Sequence, residues 1–394
     1  MFKGFSKDIH RVRGFGSYLP MFLVGIMTLM CLISQKAASD SLKTHEIKGL
    51  SKLVKGLNEA GNKCQGAAIC LLHKGKPVYE SYFGFQEKGG HPITVTTIFS
   101  LASVSKSLVS VGAMLMVGEG RMSLEKKKKI GPLKYPVSLR DILSHTTGYA
   151  FRGDTEIEAN WTRARLDESI ERLRPTCHPG GCYFYSNYLY GYAGNYFMKE
   201  GISLEGVIEH LRKILKTKGP YFVKEVIGRT DVALPHKTDK NDQHKLTKLS
   251  LRSPYFRTAT AAAGLFASLE DMKAFAGLAF GGLRSSLSPK ESEALFTPVL
   301  ENRDLERWGK IDLPAPLKQI KSWYCLGWRK FMVKDQPETA LLFHSGYVAG
   351  VNTFIGHIPS QDLTLIFLSN QDGGVATRAG LSLWASVFNE RGEK

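Results

Sequence analysis

"IFSLASVSKSLVS", residues 98–110, begins apolar, passes through small polar residues and continues into an apolar run that stops near Gly118 and Gly120. This pattern predicts a strand-like or loop approach feeding a long helix from about Ser103, ended by glycine. Ser103-Val104-Ser105-Lys106 stands at the junction. A serine hydroxyl is a poor nucleophile until something takes its proton. A lysine three residues on, one helical turn away, shares its face and can be that something. At a helix start the Ser103 N–H favours a developing oxyanion, and packed surroundings weaken a lysine's hold on its proton. The four-letter pattern does not decide by itself. Ser123-Leu124-Glu125-Lys126 repeats it at the head of a basic run.

Outward from this stretch, residues 45–61 carry Ile47, Leu50, Leu53, Val54 and Leu57 at helical spacing. "GAAICLLHKGKPVYESYFGF" (66–85) reads as a hairpin about Lys74-Gly75-Lys76. The middle, about 121–255, leans helical and loop-rich, and 216–248 reads as a polar, basic, exposed excursion. Ser268 with Asp271 three residues on predicts a capped helix. Residues 338–371 hold three strand-like runs, and a helix over about 378–389 closes the chain. Strands at both ends with helices between predict an α+β domain. Its antiparallel sheet is assembled from N- and C-terminal parts and flanked by helices, with a helical insertion over about 104–260.

The 394 residues, 43% hydrophobic and 23% charged, are ample for a sizeable core. Lys and Arg total 53 against 36 Asp and Glu, a formal +17 that favours anionic neighbours such as membrane or wall polymer. No nucleic-acid module is present in the sequence, and the run 126–129 reads as a solvated loop face. Lys3, Lys7, Arg11 and Arg13 precede an uncharged apolar run, 17–34, followed by Ala37-Ala38-Ser39. This is the grammar of a secretory signal, or of an uncleaved anchor, over 1–39. The expectation is export of the domain 40–394 to the periplasm or its anchoring at the inner membrane. Of six cysteines, Cys177 and Cys182 bracket a Pro-Gly-Gly turn that brings them within bridging reach. No Cys or His pair stands at zinc-ligand spacing.

Two further motifs carry chemistry. Tyr185-Ser186-Asn187 sits among six tyrosines between 183 and 196. A tyrosine beside a cation shuttles protons, and asparagine both donates and accepts, although such a loop also packs simply as an aromatic cluster. His344-Ser345-Gly346 lies on a strand-like run, its glycine permitting close backbone approach to a ligand. His178-Pro179-Gly180 is a decoy for it, made a turn by its proline. His145, in "LSHTTGY", reads as a structural turn residue.

In this order, S-x-x-K, Y-x-N and H-x-G resemble the serine β-lactamase and penicillin-binding protein superfamily. The branch is that of class C β-lactamases, D-alanyl-D-alanine carboxypeptidases and related esterases. "SLRDILSHTTG", "HPGGCYFYSN", "AAAGLFASLEDMKAF" and "IGHIPSQDLTLIFLSN" are similar to that branch's segments, and the resemblance covers about 47–390. It implies the β-lactamase/transpeptidase-like fold, Ser103 as acylated nucleophile, Lys106 as its base and Tyr185 as the group that takes and returns the proton. It implies Asn187, His344, Ser345, Gly346 and Tyr347 as substrate-binding, with an oxyanion hole from the Ser103 and Tyr347 N–H groups. His344 stands where class C enzymes have lysine, and Tyr347 where the branch has a smaller residue. The expected activity is a DD-peptidase-like or β-lactamase-like amide hydrolase on a small-molecule or peptidoglycan-derived substrate, needing no cofactor or metal. An esterase on small acyl esters, or a non-catalytic wall-binding protein, are the alternatives.

Overall fold

The computed structural model describes residues 49–239, 245–281, 286–302 and 320–389. The expected signal or anchor, 1–39, lies outside them, as do the start of the 45–61 pattern and residues 240–244 of the basic stretch. Among the described residues no helix is long and apolar enough to cross a membrane.

The first hairpin forms where the pattern places it, from β1 (Gly66–His73) and β2 (Lys76–Gly84). Lys74 and Gly75 take φ of 51° and 72°, two left-handed residues whose turn matches the twist of the strands. Short strands follow: β3 (Phe99–Ser100), β4 (Tyr221–Phe222), β5 (His236–Thr238), β6 (Leu246–Lys248) and β7 (Leu265–Ala267). The C-terminal part adds β8 (Leu300–Asn302), β9 (Ile320–Tyr324), β10 (Arg329–Val333), β11 (Leu341–Val348), β12 (Val351–Ile358) and β13 (Leu363–Ser369).

Eight of these strands make one antiparallel sheet in the order β2-β1-β13-β12-β11-β10-β9-β8. The N-terminal hairpin thus pairs with the last strand, Ala67 opposite Ser369 through to His73 opposite Leu363. Consecutive residues of β12 and β13 are all buried, and because neighbours in a strand point to opposite faces, both faces are covered. The helix Val375–Asn389 packs on β11, β12 and β13, and Leu269–Phe280 packs on β1 and β13. Ser268 caps the latter through reciprocal hydrogen bonds with Asp271, as its sequence predicts.

Two expectations are corrected. The stretch 216–248 is not simply an exposed excursion. Phe222, Val226, Val232 and Ala233 are buried, and β4 joins β3 and β7 in a three-stranded sheet. Its apolar residues come in runs of two or three, Tyr221 to Val223, Val226-Ile227 and Val232 to Leu234, too short to show a period. The helix starts at Ser105, not Ser103, and a 3-10 turn, Ala102–Val104, precedes it. Cys177 and Cys182 form the expected bridge, with Cα atoms 6.2 Å apart.

Candidate active site

The turn Ala102–Val104 decides where Ser103 points. Ala102 takes φ 46°, a left-handed conformation that an alanine adopts only at a cost, so the surroundings must hold it there. They do so from two sides. The Thr353 hydroxyl donates to the Leu101 carbonyl at 2.8 Å, and β11 packs directly on the turn. A Cβ on Gly346 would fall 2.2 Å from Thr353 Oγ1 and 2.3 Å from the Leu101 oxygen. The close approach at this glycine, expected to be to a ligand, is to the turn that carries Ser103.

The helix Ser105–Gly118 is buried on all sides over most of its length, so its hydroxyls must find partners inside. Ser105 Oγ accepts the Leu265 N–H, Ser107 donates to the Gly327 carbonyl, and Ser110 pairs with Tyr190. These bonds fix the rotation of the helix and hence of Lys106.

Lys106 is wholly buried, and its Nζ lies 3.2 Å from Ser103 Oγ, 2.7 Å from Asn187 Oδ1 and 2.9 Å from the Ala262 carbonyl. Asn187 is oriented by donating its Nδ2–H to the Asp154 carboxylate at 2.9 Å. Burial holds Lys106 well below the usual lysine range, with Asp154 opposing and Arg329 reinforcing that shift. A neutral amine has two N–H groups and one lone pair. Asn187 Oδ1 and the Ala262 carbonyl can only accept, so they take both N–H groups. The lone pair is left facing the Ser103 hydroxyl.

Tyr185 stands over this pair, its ring centre 4.8 Å from Lys106 Nζ. The loop that carries it is held by His145, which has φ 60°. The His145 carbonyl receives the Phe184 N–H at 3.0 Å and its Nδ1 receives the Ser186 N–H at 3.2 Å. The proton of this neutral ring is therefore on Nε2, and burial keeps the ring from charging. Its ring lies 4.3 Å from that of Tyr185. The structural role read for His145 is the one its contacts show, although it acts on the site's own loop.

His344 is also buried, with Nδ1 donating to the Ser345 carbonyl at 2.8 Å and Nε2 3.0 Å from the Tyr324 hydroxyl. Burial, then Arg329 and Lys106, push it well below the ordinary histidine range. It therefore offers the cleft neither a free ring nitrogen nor a charge. Ser345 is half-buried and Tyr347 is exposed, at 61%. Sequence reasoning missed Asp154, Arg329 and Tyr324. The decoys stay apart: Ser123 Oγ receives the Lys126 N–H and its carbonyl the Tyr196 hydroxyl, and the His178 ring packs on Tyr135. Among the described residues no group of three or more His, Cys, Asp or Glu is arranged to hold a metal ion.

Residues 50–386 match the family model described as Beta-lactamase. The chain belongs to the β-lactamase family. Its fold is that of an octameric penicillin-binding protein homologue from Pyrococcus abyssi, 23% identical over 86% of this chain and 77% of that one, with a TM-score of 0.70. EstCE1, a hydrolase with promiscuous acyltransferase activity, is 16% identical over 86% of this chain and 99% of its own, at 0.64. SurE with D-Leu follows at 21% identity, 87% and 74% coverage and 0.61. Members of this family are generally serine hydrolases, and the Ser103–Lys106–Tyr185 cluster of this β-lactamase-family chain is where such chemistry would sit.

Proposed function

We propose that the chain is a serine hydrolase working through a Ser103 acyl-enzyme, most simply a DD-peptidase-like or β-lactamase-like amide hydrolase. The observation that carries this is the wholly buried Lys106 Nζ, 3.2 Å from Ser103 Oγ and held by the acceptors Asn187 Oδ1 and Ala262 O, which in the neutral amine leaves the lone pair for Ser103. Ser103 Oγ attacks the acyl carbon while its proton passes to Lys106 Nζ. The oxyanion is received by the N–H groups of Ser103 and Tyr347, the latter on the strand packed against the nucleophile turn. Tyr185 gives its proton to the departing nitrogen and becomes a phenolate. In the second half a water attacks the ester and hands a proton to that phenolate. Ser103 then leaves, taking its proton back from Lys106, and every proton is accounted for. Proton delivery by Tyr185 matters most for an amine leaving group, which is why an amide is the first reading. An esterase is the second, favoured by the uncharged His344 at the third motif.

Intact-mass analysis after mixing with a fluorescent penicillin tests the proposal. One adduct on Ser103, lost in Ser103→Ala, is expected. An adduct that persists in Ser103→Ala sinks the assignment. Labelling by short acyl esters or an organophosphonate in place of penicillin selects the esterase.

The acid limb of the pH–rate profile reports Lys106 losing its proton, because only the free amine can take one from Ser103. Asp154 favours the ammonium form. Asp154→Asn keeps an acceptor for Asn187 but removes that charge, so the limb moves to lower pH. A limb moving upward would exclude Lys106 as the group observed.

A further inference from the structure

The chargeable groups around Tyr185 respond differently to burial. An amine or an imidazole sheds its proton when desolvation dominates, whereas a guanidinium does not. Lys106 and His344 are both held far below their ordinary ranges, and Arg329 contributes to each shift. The permanent cation at this ring is Arg329, which belongs to none of the sequence motifs.

Its placement is built rather than incidental. Arg329 is 8% exposed and opens β10, paired across the sheet with Tyr324. Its Cζ lies 5.1 Å from the centre of the Tyr185 ring and 5.4 Å from that of Tyr324. The preceding turn is seated on the Lys106 helix. The Gly327 N–H donates to the Leu143 carbonyl at 2.9 Å, and the Gly327 carbonyl receives the Ser107 hydroxyl at 2.8 Å. Gly327 takes φ 72°, and a Cβ there would fall 2.3 Å from Ser110 Oγ. The helix that aims Lys106 therefore also sets where the guanidinium stands.

We propose that Arg329 is a positioning residue for proton transfer at Tyr185: its guanidinium, 5.1 Å from the ring centre, is the fixed positive charge against which the phenolate forms. The kinetic side of this rests on the acyl-enzyme reading above; the electrostatic side does not. The other groups facing Tyr185 are Lys106 from the nucleophile helix, the His145 ring from its loop, Tyr190 from the helix Asn187–Met198, Tyr255, Tyr324 from β9 and His344 from β11. The carboxylates acting on this group are Asp154, felt by both Lys106 and Tyr255, and Glu158, felt by Tyr255.

The test is an NMR titration of protein carrying 13Cζ-tyrosine, with the Tyr185 signal assigned through Tyr185→Phe. Arg329→Gln is expected to raise the Tyr185 midpoint by about one pH unit, and Arg329→Lys, whose amine sheds its proton in the same buried setting, to restore little of the difference. Arg329→Met, which keeps the apolar stem, reads the same shift should the glutamine variant fail to fold. A loss of packing alone would lower the melting temperature without moving the midpoint, and an unmoved midpoint in folded Arg329→Gln or Arg329→Met overturns the proposal. Acylation of Ser103 by an amide substrate falls about tenfold in Arg329→Gln and shows no further fall when Tyr185→Phe is already present. The titration repeated in Ser103→Ala keeps the two readings separate. Turnover surviving in Ser103→Ala would defeat the acyl-enzyme alone, while the midpoint still judges Arg329.

Discussion

Lys106→Met is expected to leave the fold in place and slow acylation of Ser103 about a thousandfold. Methionine occupies the same channel between Ser103 and the Ala262 carbonyl, so the helix that carries it keeps its packing. What disappears is the lone pair facing the Ser103 hydroxyl, and no other described nitrogen stands ready to replace it. His145 and His344 have their unprotonated nitrogens turned to the Ser186 N–H and the Tyr324 hydroxyl. The variant also leaves Asn187 Oδ1 and the Ala262 carbonyl without the donor they share, which costs about 2 kcal/mol. The measurements are the rate of adduct formation by intact mass and a denaturant melt on the same sample. Acylation within tenfold of the parent would mean that the proton goes elsewhere, with Tyr185 the next group to test.

Gly346→Ala is expected to damage the site without touching any reactive group. The added methyl meets Thr353 Oγ1 and the Leu101 oxygen at 2.2 and 2.3 Å, and the second of these is backbone. Either β11 or the turn Ala102–Val104 must retreat. Forced overpacking of this kind costs about 2 kcal/mol, and a displacement of about 1 Å at the nucleophile costs about a hundredfold in rate. Gly56→Ala is the control, because nothing lies within 4 Å of a Cβ there and it sits in a helix. A Gly346→Ala protein that acylates like the parent would show that β11 does not position Ser103.

The residues of the candidate site were legible because each lies in a short local motif, and the order of those motifs along the chain resembles the family's. Ser103, Lys106, Tyr185 and Asn187 come together as that order implies. His344 was legible as a position but not as a state. Its burial and both hydrogen bonds depend on Tyr324 and on how β9 to β11 pair, which no local pattern carries. Arg329 and Asp154 were invisible for the same reason, since each reaches the cluster from an element distant in sequence. Ala102 was hidden differently: its left-handed backbone is imposed by the strand packed on it, and alanine gives no local sign of that conformation. The hairpin, the Ser268 cap and the closing strands could be read because turn and cap residues act on their immediate neighbours. The two-residue strand of the middle region, β4, could not, since its pairing with β7 is tertiary.

The order of the large sheet has a bearing on how the protein is made. β13 is the last of the described strands in chain order, yet it lies between β1 and β12 at the heart of the sheet. Ser103, Lys106, Tyr185, Arg329 and His344 have all left the ribosome before it. Until it arrives, the first hairpin waits with an unpaired edge and β12 lacks one neighbour, the kind of exposed strand on which chaperones act. A nascent chain thus holds every reactive group without the framework that presses β11 onto the nucleophile turn. Any chemistry at the candidate site therefore waits on the pairing of β13 with β1 and β12.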